Sequence, residues 1–360
     1  MGDTMNNLKL TLFALPLTLL SASLFAAVEL EEVVVTAQKT EKSLQDTPIA
    51  VTAVTEATIQ DLNIKNVVDL QGIAPNVMLL PAPANNTGAS LAIRGGVAMN
   101  PAITWEPSVG TYVDGVYMGK TQGGIWDLVD LERVEILRGP QGTLYGRNTL
   151  AGAVNFISKK PSGAGVSGAV TLGNYGLKQG RIIADYEIGQ DIFAKVVMHN
   201  KSRDGFVKNL PGPLGPTTGV IPNNVNPPTP MLDVIDSKGF KLSLYYAGDQ
   251  TQVDLSFDWT DQDNVPPHPQ LGNMADWWAD AVGFGASPAT GGLEVAPLHH
   301  YDRLGFDKTT SLDNEMYETS VVEGVNLIIT HQTGLGELKL TLADRKLDWD
   351  DKLDMDGTPH

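Results

Sequence analysis

The sequence predicts a compact α+β domain followed by antiparallel strands of a transmembrane β-barrel that is incomplete within these 360 residues. Two observations lead to this fold class. Residues 28–160 mix short helical and strand segments with glycine turns, whereas residues after 164 alternate apolar and polar side chains over long stretches. The connections between those stretches alternate between short and long, which is typical of outer-membrane barrels.

Composition excludes several classes of protein. Hydrophobic residues make up 42% of the chain and charged residues 19%, which is too apolar for a disordered chain and too polar for a bundle of membrane helices. The formal net charge of -17 argues against a nucleic-acid partner held through its phosphates. The absence of cysteine excludes disulfides, thiolate metal sites and cysteine nucleophiles from this sequence.

An export signal is predicted at residues 1–27. Lys9 supplies a positive charge, residues 10–20 form an apolar stretch, and Ala26 and Ala27 belong to a small-residue exit. The apolar stretch is too short to cross a bilayer as a helix. An exported chain without cysteine fits the Gram-negative periplasm or outer membrane.

The α+β domain is predicted to span residues 44–160. Helical spacing occurs at residues 56–62 and 67–73. The glycine-rich stretch at 159–163 is the predicted linker to the next domain. Strands are predicted at residues 77–80, 91–94, 109–113, 134–137 and 154–157.

The second domain, residues 161–360, is predicted to consist of barrel strands and outer loops. In its fourth segment, for example, Leu242 and Leu244 alternate with Lys241 and Ser243. Alternation alone also fits a soluble sheet with one wet face, but short turns at one end and long loops at the other favour a membrane barrel. Trp259 and Trp349 are candidates for its interfacial aromatic girdles. The predicted segments are about residues 164–174, 177–188, 192–202, 237–247, 251–262, 317–331 and 337–349.

Seven strands are too few to close such a barrel. Bacterial single-chain barrels have even strand counts, and plugged transporters have roughly 22 strands. An open sheet would leave unpaired backbone groups at its edges, which hydrocarbon does not tolerate. We therefore expect this sequence to be part of a longer chain that supplies the remaining strands.

Four motifs occur in order along the first 160 residues. They are EEVVVTA at residues 31–37, IRG at 93–95, YVDGV at 112–116, and the long run LERVEILRGPQGTLYGRNTLAGAVN at 131–155. Together they resemble the TonB box and plug domain of the TonB-dependent outer-membrane receptors. The resemblance covers about residues 29–160 and implies a plug at residues 44–160, preceded by a TonB-box segment at residues 28–43.

The TonB box is the predicted site of contact with a partner protein. A valine-rich segment without turn residues can add as a strand to the edge of a partner's sheet. The resemblance implies that the energy-transducing protein TonB pairs with this segment and pulls on it, whereas the alternative is an ordinary edge strand. The residues concerned are Glu32, Val33, Val34, Val35, Thr36 and Ala37.

The plug motifs supply a second set of candidate residues. Arg94 and Arg138 are each followed by glycine, and the resemblance implies that they pair with barrel carboxylates located beyond residue 360, forming a registered and releasable contact. Ordinary surface ion pairs are the alternative. The glycines of these motifs are predicted to permit turns and close packing. The full set is Arg94, Gly95, Asp114, Gly115, Glu135, Arg138, Gly139, Gly142, Tyr145 and Gly146.

The resemblance implies active import of a scarce solute across the outer membrane, with a ferric siderophore as the first expectation. A vitamin, an oligosaccharide or an aromatic compound is the alternative cargo, and Trp105, Trp277 and Trp278 are candidates for stacking on a ring. A truncated, non-transporting remnant is a further alternative. The expected partners are TonB, outer-membrane lipid and lipopolysaccharide, and a small-molecule ligand.

No enzyme is predicted. The sequence contains no nucleophile elbow and no metalloprotease motif, and no pair of carboxylates stands out as acid and base. His299 and His300 are adjacent, so on an extended chain they point apart and form a poor metal site. No cofactor is expected, and any iron would be part of the transported ligand.

Overall fold

The structure is a computed structural model that describes residues 33–81, 85–97, 104–120, 129–209, 229–267, 309–310 and 315–353. The predicted export signal at residues 1–27 and Glu32 lie outside these residues. Among the helices that are described, none has the length and apolar character required to cross a membrane.

Residues 33–158, called the plug below, contain three short helices among short strands. The helices are α1 (Glu56–Asp61), a 3-10 helix (Val67–Leu70) and α2 (Gly142–Tyr145). The strands are β1 (Val34–Val35), β2 (Lys42–Ser43), β3 (Val51–Thr55), β4 (Val77–Pro81), β5 (Ala89–Ile93), β6 (Gly96–Val97), β7 (Val109–Val113), β8 (Val116–Met118), β9 (Leu131–Arg138) and β10 (Gly152–Ser158).

Side-chain caps determine where the first two helices begin. The Thr55 hydroxyl accepts the N–H of Thr58 at the start of α1. Asn66 and Asp69 form a reciprocal capping box at the start of the 3-10 helix. The helix predicted at 67–73 is shorter in the structure, because Gln71 takes an extended conformation with φ -59° and ψ 133°.

A mixed five-stranded sheet with the order β3-β9-β10-β7-β8 forms the centre of the plug. Strand β10 pairs antiparallel with β9 and parallel with β7. One face of this five-stranded sheet is covered by a smaller sheet with the order β4-β5-β6, by α1 and by the 3-10 helix. The core between these layers includes Val54, Ile59, Leu70, Leu79, Ile93, Ile136 and Phe156. The edge strands β3 and β8 were not predicted from the sequence.

The seven long strands predicted from alternation are confirmed, and they form one antiparallel sheet, called the wall below. In chain order they are β11 (Gly165–Leu172), β12 (Lys178–Gly189), β13 (Ile192–Arg203), β16 (Ile235–Ala247), β17 (Thr251–Asn264), β19 (Tyr317–Thr333) and β20 (Gly336–Lys352). The intervening short strands β14 (Val207–Asn209), β15 (Met231–Leu232) and β18 (Thr309–Thr310) form a separate small sheet.

Side chains on the two faces of the wall differ in chemistry. In β16, Phe240, Leu242, Leu244 and Tyr246 are exposed on the outward face, while the positions between them are buried or half-buried against the plug side. Adjacent strands continue this apolar band in register. One such row consists of Ala194, Leu244, Leu255, Leu327 and Leu342. An outward apolar band of this kind suits contact with hydrocarbon.

The outer boundary of the apolar band runs obliquely across the last three strands of the wall. On β17 the outward residues become polar after Trp259, at Asp261. On β19 they become polar at Glu323, which is the register partner of Trp259, and on β20 at Asp344. The boundary therefore shifts by one pleat from β17 to β19 and by another from β19 to β20, as expected where strands are tilted relative to the membrane.

Candidate functional site

The described part of the predicted TonB-box segment forms a short strand that lies against the rest of the plug. Strand β1 pairs with β2 through Val34 opposite Ser43 and Val35 opposite Lys42. Within the described residues, β1 and β2 form a two-stranded sheet, so the second edge of β1 has no strand partner there. Val35 and Ala37 are buried, whereas Val34 is exposed.

A buried carboxylate holds the end of this segment. Glu135 is fully buried in β9 and accepts the backbone N–H of Thr36 at 2.7 Å and the Thr36 hydroxyl at 3.1 Å. The guanidinium of Arg133 donates to the same carboxylate at 2.9 Å. A buried carboxylate must be paired, and here its partners are the Arg133 guanidinium and the backbone N–H of Thr36.

Two tyrosine rings of the plug also contact the TonB-box segment. The ring centroids of Tyr112 and Tyr145 are 5.0 Å apart in an edge-to-face arrangement. The ammonium of Lys39 lies 4.1 Å from the centroid of the Tyr145 ring, and the Tyr145 hydroxyl donates to the Thr36 carbonyl. Burial raises the pKa of Tyr112 to about 12. Burial, together with the charge of Lys339, lowers the pKa of Lys39.

Asp114 connects three parts of the molecule. It occupies the turn between β7 and β8 with φ +52°, and its N–H donates to the Phe156 carbonyl at 2.9 Å. Its carboxylate accepts the N–H of Ser158 at 2.8 Å and forms an ion pair at 2.9 Å with Lys241 of the wall. Burial by itself would raise the pKa of Asp114, but Lys241 and Ser158 outweigh it and hold the pKa below its ordinary value.

Arg94 and Arg138 are brought near each other, but no described carboxylate pairs with either of them. A Cβ added at Gly139, the residue after Arg138, would lie 3.0 Å from a terminal nitrogen of the Arg94 guanidinium. The Nε of Arg138 is buried and makes no hydrogen bond within the described residues. Pairing with carboxylates beyond residue 360 therefore stays a prediction.

The remaining motif residues serve the backbone of the plug. Gly95, Gly115, Gly139 and Gly146 have φ between +79° and +111°, in the region that favours glycine. Gly142 lies in α2 and has normal φ. The four positive-φ glycines lie at turns, whereas the positive φ and close packing predicted for Gly142 were wrong, because this residue is helical with open space at its Cβ position.

The linker between plug and wall is held by two wall residues. The Lys195 ammonium donates to the carbonyls of Lys159 and Lys160 at 2.8 and 3.1 Å and pairs with Asp130 of the plug at 3.0 Å. The Asp185 carboxylate accepts the N–H groups of Ser162 and Gly163. Lys195 and Asp185 are each 2% exposed, so both wall side chains are buried.

A wall carboxylate also binds the opposite end of the plug. Glu318 is fully buried in β19 and accepts the N–H groups of Asn86 and Thr87 at 2.7 and 3.2 Å, as well as the Thr87 hydroxyl. The indole N–H of Trp349 approaches the same carboxylate at 3.5 Å. Trp349 therefore faces the plug, and its assignment to an outer aromatic girdle was wrong, because its position in the alternation places it on the inner face of β20.

The other candidates from the sequence are less informative. Trp105 is exposed, and Trp277, Trp278, His299 and His300 lie outside the described residues. Trp259 lies at the polar boundary of the outward face, beside Phe240 at 5.9 Å between ring centroids. Within the part of the chain that the structure describes, no group of three or more acidic or histidine side chains is arranged to hold a metal ion.

A cavity of about 290 Å³ lies between the plug and the end of the wall that adjoins the long connections. Asn66 and Pro81 of the plug and Lys201 and Arg203 of β13 are among its lining residues. Arg203 forms an ion pair with Asp233 at 2.7 Å. A solute in this cavity could contact plug and wall together.

The plug matches a known protein family. The family model described as "TonB-dependent Receptor Plug Domain" matches residues 43–153. The catecholate siderophore receptor Fiu of Escherichia coli strain K12 is 28% identical over 172 residues, which cover 46% of this chain and 21% of that protein. The vitamin B12 transporter BtuB of Vibrio vulnificus is 30% identical over 132 residues, which cover 36% of this chain and 20% of that protein.

Solved structures extend the likeness through the wall. The ferric yersiniabactin uptake receptor FyuA from Yersinia pestis superposes with a TM-score of 0.62 at 18% identity, over 84% of this chain and 41% of that one. The sequence matches to Fiu and BtuB span about a fifth of the length of those two proteins. Residues 43–153 thus match the plug domain of TonB-dependent receptors, and the wall shares the fold of the corresponding strands in a solved receptor of that kind.

Proposed function

We propose that this chain belongs to a TonB-dependent importer that carries a scarce solute across the outer membrane. The observation that supports the proposal most directly is the position of β1, a short strand near the start of the plug. One edge of β1 has no described strand partner, and the segment is held by hydrogen bonds to Glu135 rather than by the main sheet. Such a strand can be extended by pairing with a partner's sheet, and a pull on it would act directly on β9 through Glu135.

A ferric siderophore is the substrate class that we propose. The relative Fiu is described as a catecholate siderophore receptor and FyuA as a ferric yersiniabactin uptake receptor. Lys201 and Arg203 at the cavity beside the plug are compatible with an anionic chelate, although Arg203 is partly neutralised by Asp233. Residues 161–360 contain 27 acidic and 14 basic residues, a net charge of -13, so the attraction would have to be local.

The alternative cargo is a vitamin, because BtuB is described as a vitamin B12 transporter and is 30% identical over 132 residues. An uptake assay in cells that express the full-length receptor separates the two. We expect uptake of radiolabelled iron supplied as a catecholate chelate and no uptake of labelled cobalamin. Cobalamin uptake without iron uptake would replace the siderophore by the vitamin.

The role of TonB is tested with a backbone variant of the exposed Val34. Val34→Pro removes a backbone N–H and restricts φ, so we expect it to abolish uptake while ligand still binds at the cell surface. Val34→Ala, the matched control, keeps the N–H and is expected to transport normally. Equal uptake by both variants would contradict strand pairing at this segment.

A further inference from the structure

Three charged side chains on the inner face of the wall lie in one register row. Lys241 of β16 is opposite Asp258 of β17, Asp258 is opposite Gly324 of β19, and Gly324 is opposite Arg345 of β20. Arg345 binds Asp258 through both terminal nitrogens, at 3.1 and 2.6 Å. Two ends of the guanidinium therefore meet two oxygens of one carboxylate, which is the strong geometry for this pair.

Gly324 allows Arg345 to reach Asp258. The two residues are on strands separated by β19, so the guanidinium must cross that strand. A Cβ at Gly324 would lie 2.8 Å from a terminal nitrogen of Arg345 and 2.9 Å from its Cζ. The missing side chain leaves the space through which the arginine crosses. Asp258 is consequently neutralised by Arg345.

Lys241 is thereby left to bind the plug. Its ammonium lies 2.9 Å from the Asp114 carboxylate and also donates to the hydroxyl of Ser158. The side chains of Lys241 and Asp114 are 23% and 17% exposed, so the pair is largely removed from solvent. A desolvated pair of this kind depends on both partners far more than an exposed one does.

Little other packing supports the plug at this point. A cavity of about 110 Å³ separates the plug from the wall beside Lys241, and Val113, Met118 and Phe156 line it from the plug side. Since these apolar side chains do not fill the space, dispersion contacts across the interface are reduced there. The ion pair bridges the gap between the β7–β8 turn and the wall.

We propose that Lys241 is a positioning residue that seats the β7–β8 turn of the plug on the wall, and that Arg345 and Gly324 keep Asp258 from competing for it. Its polarity is the reverse of the arginine contacts predicted from the sequence, because here the wall supplies the cation and the plug the carboxylate. The biological meaning of this contact rests on the proposed transport function, but its existence does not.

Hydrogen exchange in the full-length receptor, purified in detergent without ligand or TonB, tests the proposal. Lys241→Met keeps most of the side-chain volume and removes the charge. We expect amide exchange in residues 109–118 to become at least about tenfold faster, with unchanged exchange in the wall strands. The matched control is Lys238→Met on the same strand, because Lys238 is on the outward face and its side chain is 59% exposed.

A double-mutant cycle identifies the partner. Asp114→Asn keeps an acceptor for Ser158 and tolerates the positive φ, so it removes mainly the charge. If the pair acts as one unit, Lys241→Met causes little further acceleration of amide exchange in a chain that already carries Asp114→Asn. Gly324→Ala is expected to accelerate exchange in the same residues by a few-fold, through displacement of Arg345.

Several results would overturn the proposal. They are unchanged exchange in Lys241→Met, equal acceleration in Lys238→Met, or effects of Lys241→Met and Asp114→Asn that simply multiply. None of these readouts needs transport, ligand or TonB. A failed uptake assay would therefore remove the proposed function while leaving the plug contact in place, and the reverse result is equally distinguishable.

Discussion

The Glu135 carboxylate accepts the backbone N–H of Thr36 at 2.7 Å, although the two residues are 99 positions apart in the sequence. This contact links the segment that the resemblance assigns to TonB with β9, which pairs with both β3 and β10 in the main sheet of the plug. Force applied to residues 33–37 would therefore reach the sheet through a fully buried, hydrogen-bonded carboxylate.

Glu135→Ala is expected to undock the TonB-box segment. It removes the acceptor for Thr36 and leaves Arg133 without its buried partner, a loss of about 3–5 kcal/mol for a broken buried pair. A spin label at position 34 should show increased mobility. The control is Glu41→Ala, because Glu41 is exposed in the same segment. Equal mobility in both variants would show that Glu135 does not hold the segment.

Lys195→Met is expected to loosen the linker between plug and wall. The ammonium is the donor for two linker carbonyls and the partner of Asp130, so its loss should destabilise the linker by about 3–5 kcal/mol. The measurement is protease cleavage near residues 159–163 in the folded receptor. Lys346→Met, at a wall lysine whose side chain is 66% exposed, should leave cleavage unchanged. Resistance of Lys195→Met to cleavage would contradict this account.

Acid is expected to weaken the seat of the β7–β8 turn. The pKa of Asp114 is lowered in the structure, so its charge contributes stability above the ordinary value of about 3.9 and loses it as the pH falls through the lowered pKa. The opening free energy of residues 109–118, from exchange rates corrected for pH, should be constant down to about pH 4 and decline below it. Asp114→Asn should lack this decline; an identical decline would assign it to another group.

Glu318→Ala is expected to free the plug loop that contains Asn86 and Thr87. The Asn86 N–H and the Thr87 hydroxyl lose their acceptor, at a cost of about 1–3 kcal/mol for each group left buried, whereas the Thr87 N–H keeps the Asn85 Oδ1 at 3.0 Å. Hydrogen exchange in residues 85–93 should accelerate. Glu323→Ala, on the outward face of the same strand, is the control. A result in which both variants exchange alike would remove Glu318 from this role.

Gly152→Ala is expected to destabilise the plug more than Gly142→Ala, although both glycines belong to the same motif run. A Cβ at Gly152 would collide with the Leu137 carbonyl of β9 and lie 2.7 Å from the Ile93 side chain, so the backbone itself must move. Gly142 has nothing within 4 Å of its Cβ position. We expect a difference of about 1–3 kcal/mol in the unfolding free energy of the plug, measured by denaturant titration. Equal stabilities would contradict the close packing at Gly152.

The strands of the wall were predictable because their signal is local. Apolar and polar residues alternate with a period of two, and the pleat converts that period directly into two faces. Thus Leu242 and Leu244 point outward and Lys241 points inward in the structure, as the alternation requires. The helix at Glu56–Asp61 was predictable for the same reason, since its spacing and its Thr55 cap are both local.

Pairing between distant residues was not predictable in this way. Nothing in the sequence near Lys241 indicates that it binds Asp114 rather than its register partner Asp258, because the choice depends on Arg345 crossing at Gly324. The inward direction of Trp349, by contrast, follows from the alternation of β20, in which Leu340 and Leu342 face outward.

The sequence by itself determined the fold class, the seven strands and the motifs of the family, since each is written in short-range periodicity or in contiguous residues. Only the tertiary structure decided which charges meet: Glu135 with Thr36, Lys195 with the linker, and Glu318 with the plug loop. The physical reason is that a buried charge must find a partner, and the partner is selected by how the plug lies within the wall rather than by its neighbours in the chain.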